Sequence, residues 1–328
     1  MLRVSPHFDL EDFAGLVKNS SDFALEKLAH VVNVPAEALL EDPIKCLKLL
    51  MREDEASRQT LRFALVDSRK SVNGVALVED SEWDSELFGV GVGKLRLAYF
   101  DGSVDYRSRR LLFRNVKAAA SSRGLDVIFG RVGLDDMLTI HSLEAEGAVL
   151  TDVLVTFGVD VDRGLAMVKP VSGVEVSVAN ERDEPALVDI AREIFRIDHF
   201  HADPRLPRHR SDEVYARWVS SCVKGLADAV LVARKKNQVL GFITCKVEGS
   251  NGGLSRGVID LVGVGKGFEG RGVGACLVGE ALKWFSSRTK TVQVGTQAAN
   301  IGAARLYEKM GFRMVSSEAT LHLWVSPI

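Results

Sequence analysis

The chain has 328 residues, with 42 basic and 44 acidic side chains and a formal charge of -2, and this length favours two packed units over one. A hydrophobic share of 46% with 26% charged residues excludes disordered, collagen-like and coiled-coil chains, and the near-neutral balance gives no global field for gathering nucleic acid or anionic lipid. No apolar run approaches the ~20 residues that span a bilayer. The first 13 residues have neither a basic start nor an apolar centre, so the expected location is cytoplasmic, without membrane insertion. The four cysteines, Cys46, Cys222, Cys245 and Cys276, lie far apart, and the seven histidines show no metal-ligand spacing. Neither a disulfide framework nor a metal site is expected.

Taken in chain order, residues 10–65 place apolar side chains such as Leu25, Leu28, Val31 and Val32 at helical spacing, which predicts a helical extension over residues 1–70. Pro35 and Pro43 divide it, and Asp42 reads as a helix cap with proline in the first turn. A strand signal near Val75 and at 91–99, a helix at 106–122 ended by Arg123-Gly124, a strand at 125–132, a helix at 135–146 and a β-branched run at 149–161 predict an α/β domain over 71–165. Arg163-Gly164 reads as the junction to a second domain, 166–328. There, helices are predicted at 184–195 and 212–223 and strands at 229–233, 239–248 and 256–264, with Lys236-Asn237-Gln238 as a hairpin turn. A glycine-rich turn at 265–274 opens a helix to residue 285, and a strand at 291–295, a helix at 298–309 and a strand at 312–325 follow.

The chemistry concentrates in the stretch from Asp260 to Gly274. Glycines 270, 272 and 274 let backbone N–H groups converge at the start of a helix, an arrangement suited to pyrophosphate, although a plain tight turn gives the same pattern. Read with Asn300-Ile-Gly-Ala-Ala-Arg-Leu-Tyr-Glu-Lys-Met-Gly-Phe312, this stretch resembles the GNAT superfamily of acyl-CoA N-acyltransferases, with its Q/R-x-x-G-x-G/A loop and N-x-x-A-x-x-L-Y-E-K-x-G-F helix. Glu269 departs from the Gln or Arg of that loop, and Lys266 stands where proline is common.

The resemblance implies an α/β GNAT fold for the second domain, a mixed, mostly antiparallel sheet flanked by helices, and acetyl-CoA as cosubstrate without a metal. It implies that Val262 and Val264 pair with the pantetheine arm, that the N–H groups of Glu269, Gly270, Arg271, Gly272, Val273, Gly274 and Ala275 hold the pyrophosphate, and that Asn300 contacts the cofactor. Tyr307 would be the acid that protonates the departing thiolate, in a direct transfer whose oxyanion rests on backbone N–H near Val264. Cys276, inside the helix, reads as a packing residue.

A narrower resemblance rests on Trp83-Asp84-Ser85-Glu86-Leu87-Phe88-Gly89, Phe195-Arg-Ile-Asp-His-Phe-His-Ala-Asp203, Tyr215-Ala-Arg-Trp218 and Thr296-Gln-Ala-Ala-Asn300. These look like the dTDP-fucosamine acetyltransferase family, which implies a nucleotide-linked amino sugar as acceptor, with dTDP-4-amino-4,6-dideoxyhexose as the expectation. The rim at 196–210 carries Arg196, His199, His201, Asp203, Arg205, Arg208, His209 and Arg210, whose cations would hold a nucleoside diphosphate. His199 or His201 could take the proton of the sugar ammonium, directly or through water, but each reads first as an exposed or packing histidine. A peptide, polyamine or antibiotic amine as acceptor, and an acyl-CoA-binding module without turnover, stand as alternatives, and a homodimer is compatible with either.

The front domain contains a faded echo of the back one: counting back from Gly147 and Gly311 sets Leu143 opposite Tyr307 and Asp136 opposite Asn300. It therefore reads as a degenerate, non-catalytic GNAT-like domain. The Gly89-Val-Gly-Val-Gly93 run precedes a strand and so has no helix dipole to offer a phosphate.

Overall fold

A computed structural model of the chain describes residues 2–5, 14–17, 60–168, 173–249 and 255–325. The chain forms two compact units, residues 1–151 with 318–328, and residues 152–317. No described helix is long and apolar enough to cross a membrane, and the described residues contain no group of three potential metal ligands.

In the first unit the elements run β1 (Arg3–Ser5), β2 (Thr60–Val66), β3 (Val72–Asp80), α1 (Glu82–Phe88), β4 (Val92–Phe100), α2 (Tyr106–Ser122), β5 (Val127–Gly133) and α3 (Met137–Glu144). Neighbours in the sheet follow the order β1-β2-β3-β4-β5. All pairs are antiparallel except β4 with β5, which run parallel from Val92↔Val127 to Leu95↔Gly130 and are bridged by α2. The helix begins at Asp105, whose carboxylate accepts the Ser108 N–H at 2.8 Å, and buries Leu112, Phe113 and Val116 against the sheet. Residues 60–66 lie within the predicted helical extension yet form a strand. Phe63, Ala64 and Leu65 are all buried, and a short apolar run covered on both faces has no period to separate helix from strand. The predicted helices at 18–59 lie outside the described residues.

The second unit contains most of β6 (Ala148–Asp160), then α4 (Val161–Leu165), β7 (Glu175–Val178), α5 (Glu184–Ile194), α6 (His199–Ala202), α7 (Arg208–Ser221), β8 (Ala229–Lys235), β9 (Gln238–Glu248), β10 (Arg256–Ile259), β11 (Val262–Val264), α8 (Val273–Phe285), β12 (Thr291–Gln297) and α9 (Ile301–Lys309). Its strands lie in the order β6-β12-β10-β9-β8-β7, with β11 also on β9. Again one pair, β10 with β12, is parallel and a helix, α8, bridges it. The core beneath α8 includes Leu277, Leu282, Phe285 and Val292, all fully buried, side chains whose burial stabilises by about 1.5–3 kcal/mol each.

The two units repeat one sequence of elements: antiparallel strands, a helix-bridged parallel pair, then a helix and a last strand. The last strand of each repeat belongs to the other unit. After α3, β6 pairs with β12 from Asp160↔Thr291 to Leu154↔Gln297, and after α9, β13 (Arg313–Trp324) pairs with β5 from Glu318↔Gly133 to Trp324↔Val127. The chain therefore divides inside β6 and again inside β13, whereas the sequence reading sets one junction between residues 165 and 166. A composition shift marks where the chain changes register, and a strand that returns from far along the sequence leaves no such mark.

Candidate active site

The strand that precedes the glycine loop is broken by an extra residue. Val258 stands opposite Lys246 and Val262 opposite Ile243, so four steps along β10–β11 face three along β9, the mark of a β-bulge. Thr244 holds the break: its Oγ1 accepts the Leu261 N–H at 2.9 Å and its own N–H donates to the Leu261 carbonyl at 2.9 Å. Up to Ile259, which pairs with Val294, the strand lies against β12. Beyond the bulge β11 pairs only with β9, so a cleft opens between β11 and β12.

The register fixes which backbone groups line that cleft. Leu261 accepts from Thr244 and the Gly265 N–H donates to the Leu240 carbonyl at 2.8 Å, so the odd residues of this strand turn their polar groups to β9. Val262 and Val264 must turn theirs the other way, towards the open side. An extended chain laid in the cleft meets two residues ready to pair with it.

At the mouth of the cleft the loop needs its glycines for two reasons. Gly270 (φ 72°) and Gly272 (φ 85°) are left-handed, a region costly for side chains, and Gly272 is the N-cap of α8. A Cβ on Gly274 would lie 3.0 Å from Leu306 Cδ2 and 3.7 Å from Val264 Cγ2. The first N–H groups of α8 have no intrahelical acceptor and sit at its positive end. Glu269 turns its carboxylate back into the loop to accept the Gly267 N–H at 2.6 Å, and the Arg271 guanidinium lies over the Phe268 ring at 5.9 Å. The donor set and the cradle thus fit a pyrophosphate despite the acidic departure at Glu269.

On the other wall, Asn300 caps α9 by accepting the Ala303 N–H at 3.1 Å. Tyr307, one face further along, is buried at 3% exposure, its ring 5.8 Å from those of Phe157 and Phe312. Burial pushes its phenol well above the ordinary range, so it carries its proton at neutral pH. Cys276 is half-buried and its thiol is pushed up by burial, which removes thiolate character.

The helices α5 to α7 carry the predicted rim. Asp198 caps α6, accepting N–H groups of Phe200 at 2.8 Å and His201 at 2.9 Å. His201 lies between two carboxylates, Nδ1 2.6 Å from Asp198 Oδ2 and Nε2 3.0 Å from Asp212 Oδ1. Arg196 also pairs with Asp212, Arg205 Nε donates to Asp203 at 3.1 Å, and His199 is buried with its ring 3.8 Å from that of Phe200. Arg208 is exposed, 3.9 Å from Asp212, and Arg210 makes no ion pair among the described residues. Phe195, Tyr215 and Trp218 stack, at 4.4 Å and 6.1 Å.

This cleft, loop and helix coincide with a known family: residues 186–312 match the model described as Acetyltransferase (GNAT) family. The chain carries a GNAT acetyltransferase domain. It is 27% identical over 263 residues, 77% of this chain and 84% of the relative, to the spore coat polysaccharide biosynthesis protein SpsD of Bacillus subtilis (strain 168). It is 30% identical over 159 residues, 47% of this chain and 66% of the relative, to dTDP-fucosamine acetyltransferase of Escherichia coli O6:H1. In fold it is similar to a GCN5-related N-acetyltransferase from Sphaerobacter thermophilus, over 99% of this chain and 96% of that one with a TM-score of 0.60 and 14% identity. A tandem GNAT protein from the clavulanic acid biosynthesis pathway aligns over 100% of both chains, with a TM-score of 0.59 and 13% identity. The protein is an acetyl-CoA-dependent N-acetyltransferase related to the sugar acetyltransferases. Two features of the GNAT domain escape sequence reading: the Thr244 clamp, on a strand with no motif, and the position of Asp260, a carboxylate set among apolar strand residues.

Proposed function

We propose that the protein transfers the acetyl group of acetyl-CoA to the amine of a nucleotide-linked amino sugar, with dTDP-4-amino-4,6-dideoxyhexose as the leading acceptor. The observation that carries the cosubstrate half is the outward turn of Val262 and Val264 beside the glycine loop. The names of the relatives, a polysaccharide biosynthesis protein and a dTDP-fucosamine acetyltransferase, support the acceptor half. Acetyl-CoA supplies an activated acyl group, and the chain does the rest. The N–H groups of residues 269–275 take the pyrophosphate, Val262 and Val264 align the pantetheine arm, and Asn300 borders its acyl end. Because the arm enters at the loop and runs along β11 towards the bulge, the oxyanion donor is the N–H of Val262 rather than that of Val264. Tyr307 gives its proton to the leaving sulfur.

On the acceptor side, Arg196 and Arg205 spend their charge on Asp212 and Asp203 of their own loop and His201 is held between Asp198 and Asp212, which leaves Arg210, and Arg208 at 3.9 Å from Asp212, for a diphosphate. Those two arginines offset Asp203 and Asp212, which argues against an acidic groove for a polyamine. We assign no cofactor to the first unit. There Asp105 and Asp101 turn their carboxylates onto N–H groups of Ser108 and Ser103 at 2.8 and 2.7 Å, which sets two negative charges where a phosphate would lie. The deciding experiment is acetyl-CoA turnover against a panel of nucleotide-linked amino sugars, polyamines and peptides. Faster turnover of a polyamine or peptide, with no competition by dTDP, would reject the sugar-nucleotide acceptor.

A further inference from the structure

Resting on the acetyl-transfer reading, we propose that Asp260 is the general base: its carboxylate takes the proton that the acceptor ammonium must lose before it attacks. The bulge is what puts it there. Ile259 packs in the core under α8, and Val262 and Val264 pack against that same core. Gly263 faces away, its Cβ position 2.6 Å from Phe242 and 2.9 Å from Ile194 of α5. Alternation from both ends sets Asp260 and Leu261 side by side on the face of the sheet that carries α5 and α7. Asp260 is the first residue past the last β10–β12 pair, at the apex where the cleft closes. A chain paired along β11 from the glycine loop brings its far, acyl end to that apex, on the strand bearing this carboxylate.

Its surroundings suit a base. Asp260 is half-buried and accepts no hydrogen bond at its carboxylate among the described residues. The charged and titratable groups facing it are Lys246 and Glu248 of β9, and Cys222 at the end of α7. Desolvation raises its affinity for a proton above that of an ordinary carboxylate, with Lys246 opposing, which brings it nearer the working pH of a general base. The histidines of the rim are less suited: both nitrogens of His201 are held by carboxylates and His199 is buried against Phe200.

The proton and electron count closes. The acceptor enters as an ammonium, and Asp260 removes one proton. The freed nitrogen lone pair forms the bond to the acetyl carbonyl carbon, the carbonyl π pair moves to oxygen, and its return breaks the carbon–sulfur bond with the pair leaving on sulfur. Tyr307 protonates that sulfur. The second nitrogen proton returns to Tyr307 through water and Asp260 gives its proton to solvent, so one proton is released per acetyl transferred.

The test compares wild type with Asp260→Asn, using dTDP-4-amino-4,6-dideoxygalactose and a panel of other amines as acceptors and acetyl-CoA titration calorimetry as the control. The expected result is kcat lower by ~100- to 10,000-fold with unchanged acetyl-CoA affinity. The wild-type acidic limb should be replaced by a rate that climbs about tenfold per pH unit, as free amine takes over. A loss under threefold, or a loss with an unchanged pH profile, overturns the assignment. Should the Asn variant not fold, Asp260→Glu serves: a reduced kcat with the acidic limb retained supports the base, and an unchanged kcat overturns it. If wild type turns over no amine at all, the acetyl-transfer reading itself fails, an outcome distinct from an active enzyme indifferent to Asp260.

Discussion

Arg109 of α2 reaches Asp136 at the start of α3, its Nη1 2.7 Å from the carboxylate, and donates to Thr139 Oγ1 at the same 2.7 Å. The corresponding helix starts of the second unit carry Cys276 and Asn300, and no ion pair joins them. A guanidinium thus joins, in the first unit, two helix N-termini that no ion pair joins in the second among the described residues. CoA titration calorimetry should return one site per chain, and a variant that disables the loop of α8 should remove all of the heat; two sites would refute the closed first unit. Arg109→Ala should destabilise the protein by about 3 kcal/mol, since it leaves a partly buried carboxylate unpaired, measurable as a lower midpoint in urea.

Gly272→Asp or Gly274→Asp should abolish acetyl-CoA binding. At 272 the left-handed backbone resists any side chain, at 274 the Cβ meets Leu306, and in both a carboxylate faces the pyrophosphate. Unchanged affinity by calorimetry would remove the loop from the cofactor site.

Tyr307→Phe should lower kcat by ~100-fold or more with little change in the KM for acetyl-CoA, because the hydroxyl acts only as sulfur becomes thiolate. Burial holds the phenol protonated across the physiological range, so the acid should not titrate out below pH 10. A variant within twofold of wild type would exclude the tyrosine.

On the rim, Arg208→Ala or Arg210→Ala should raise the acceptor KM, by about tenfold for one charge-assisted contact, and leave acetyl-CoA affinity alone. Arg205→Ala should act differently. It removes the ion pair of the buried Asp203 and should appear first as lost thermal stability. Equal effects of all three on KM alone would contradict this division.

Cys222 and Cys245 are buried with thiols pushed up to about 12. The shift is upward, so at pH 8 each holds far less thiolate than a free cysteine. Iodoacetamide at that pH should leave both unmodified in the folded protein and modify both in urea, as read by peptide mass spectrometry. Cys276→Ala should keep full turnover, consistent with direct transfer.

The geometry of the proposed cofactor half is legible in sequence because it is built from local, position-bound features: glycines at 270, 272 and 274, and a capped helix with Asn300 and Tyr307 at fixed spacing. The acceptor half is harder, because the charges at 196–210 advertise a diphosphate while the fold spends Arg196, His201 and Arg205 on Asp212, Asp198 and Asp203, partners whose engagement only tertiary packing decides. Asp260 lies inside the quoted loop stretch, yet its face depends on one extra residue opposite Thr244, and a one-residue shift reverses every side chain on a strand. The strand at 60–66 misleads for the opposite reason, being too uniformly apolar to show a period.

The returning strand β13 has a consequence for biosynthesis. β5 has β13 for its antiparallel neighbour, and β13 follows every element of the acetyltransferase domain in the chain. During translation every earlier strand of the first unit emerges while β5 still presents a bare row of backbone donors and acceptors, an edge prone to pairing with other chains. The first unit cannot reach its finished state residue by residue behind the ribosome. It must wait for the acetyltransferase domain to be made, so the nascent chain depends on folding faster than it aggregates.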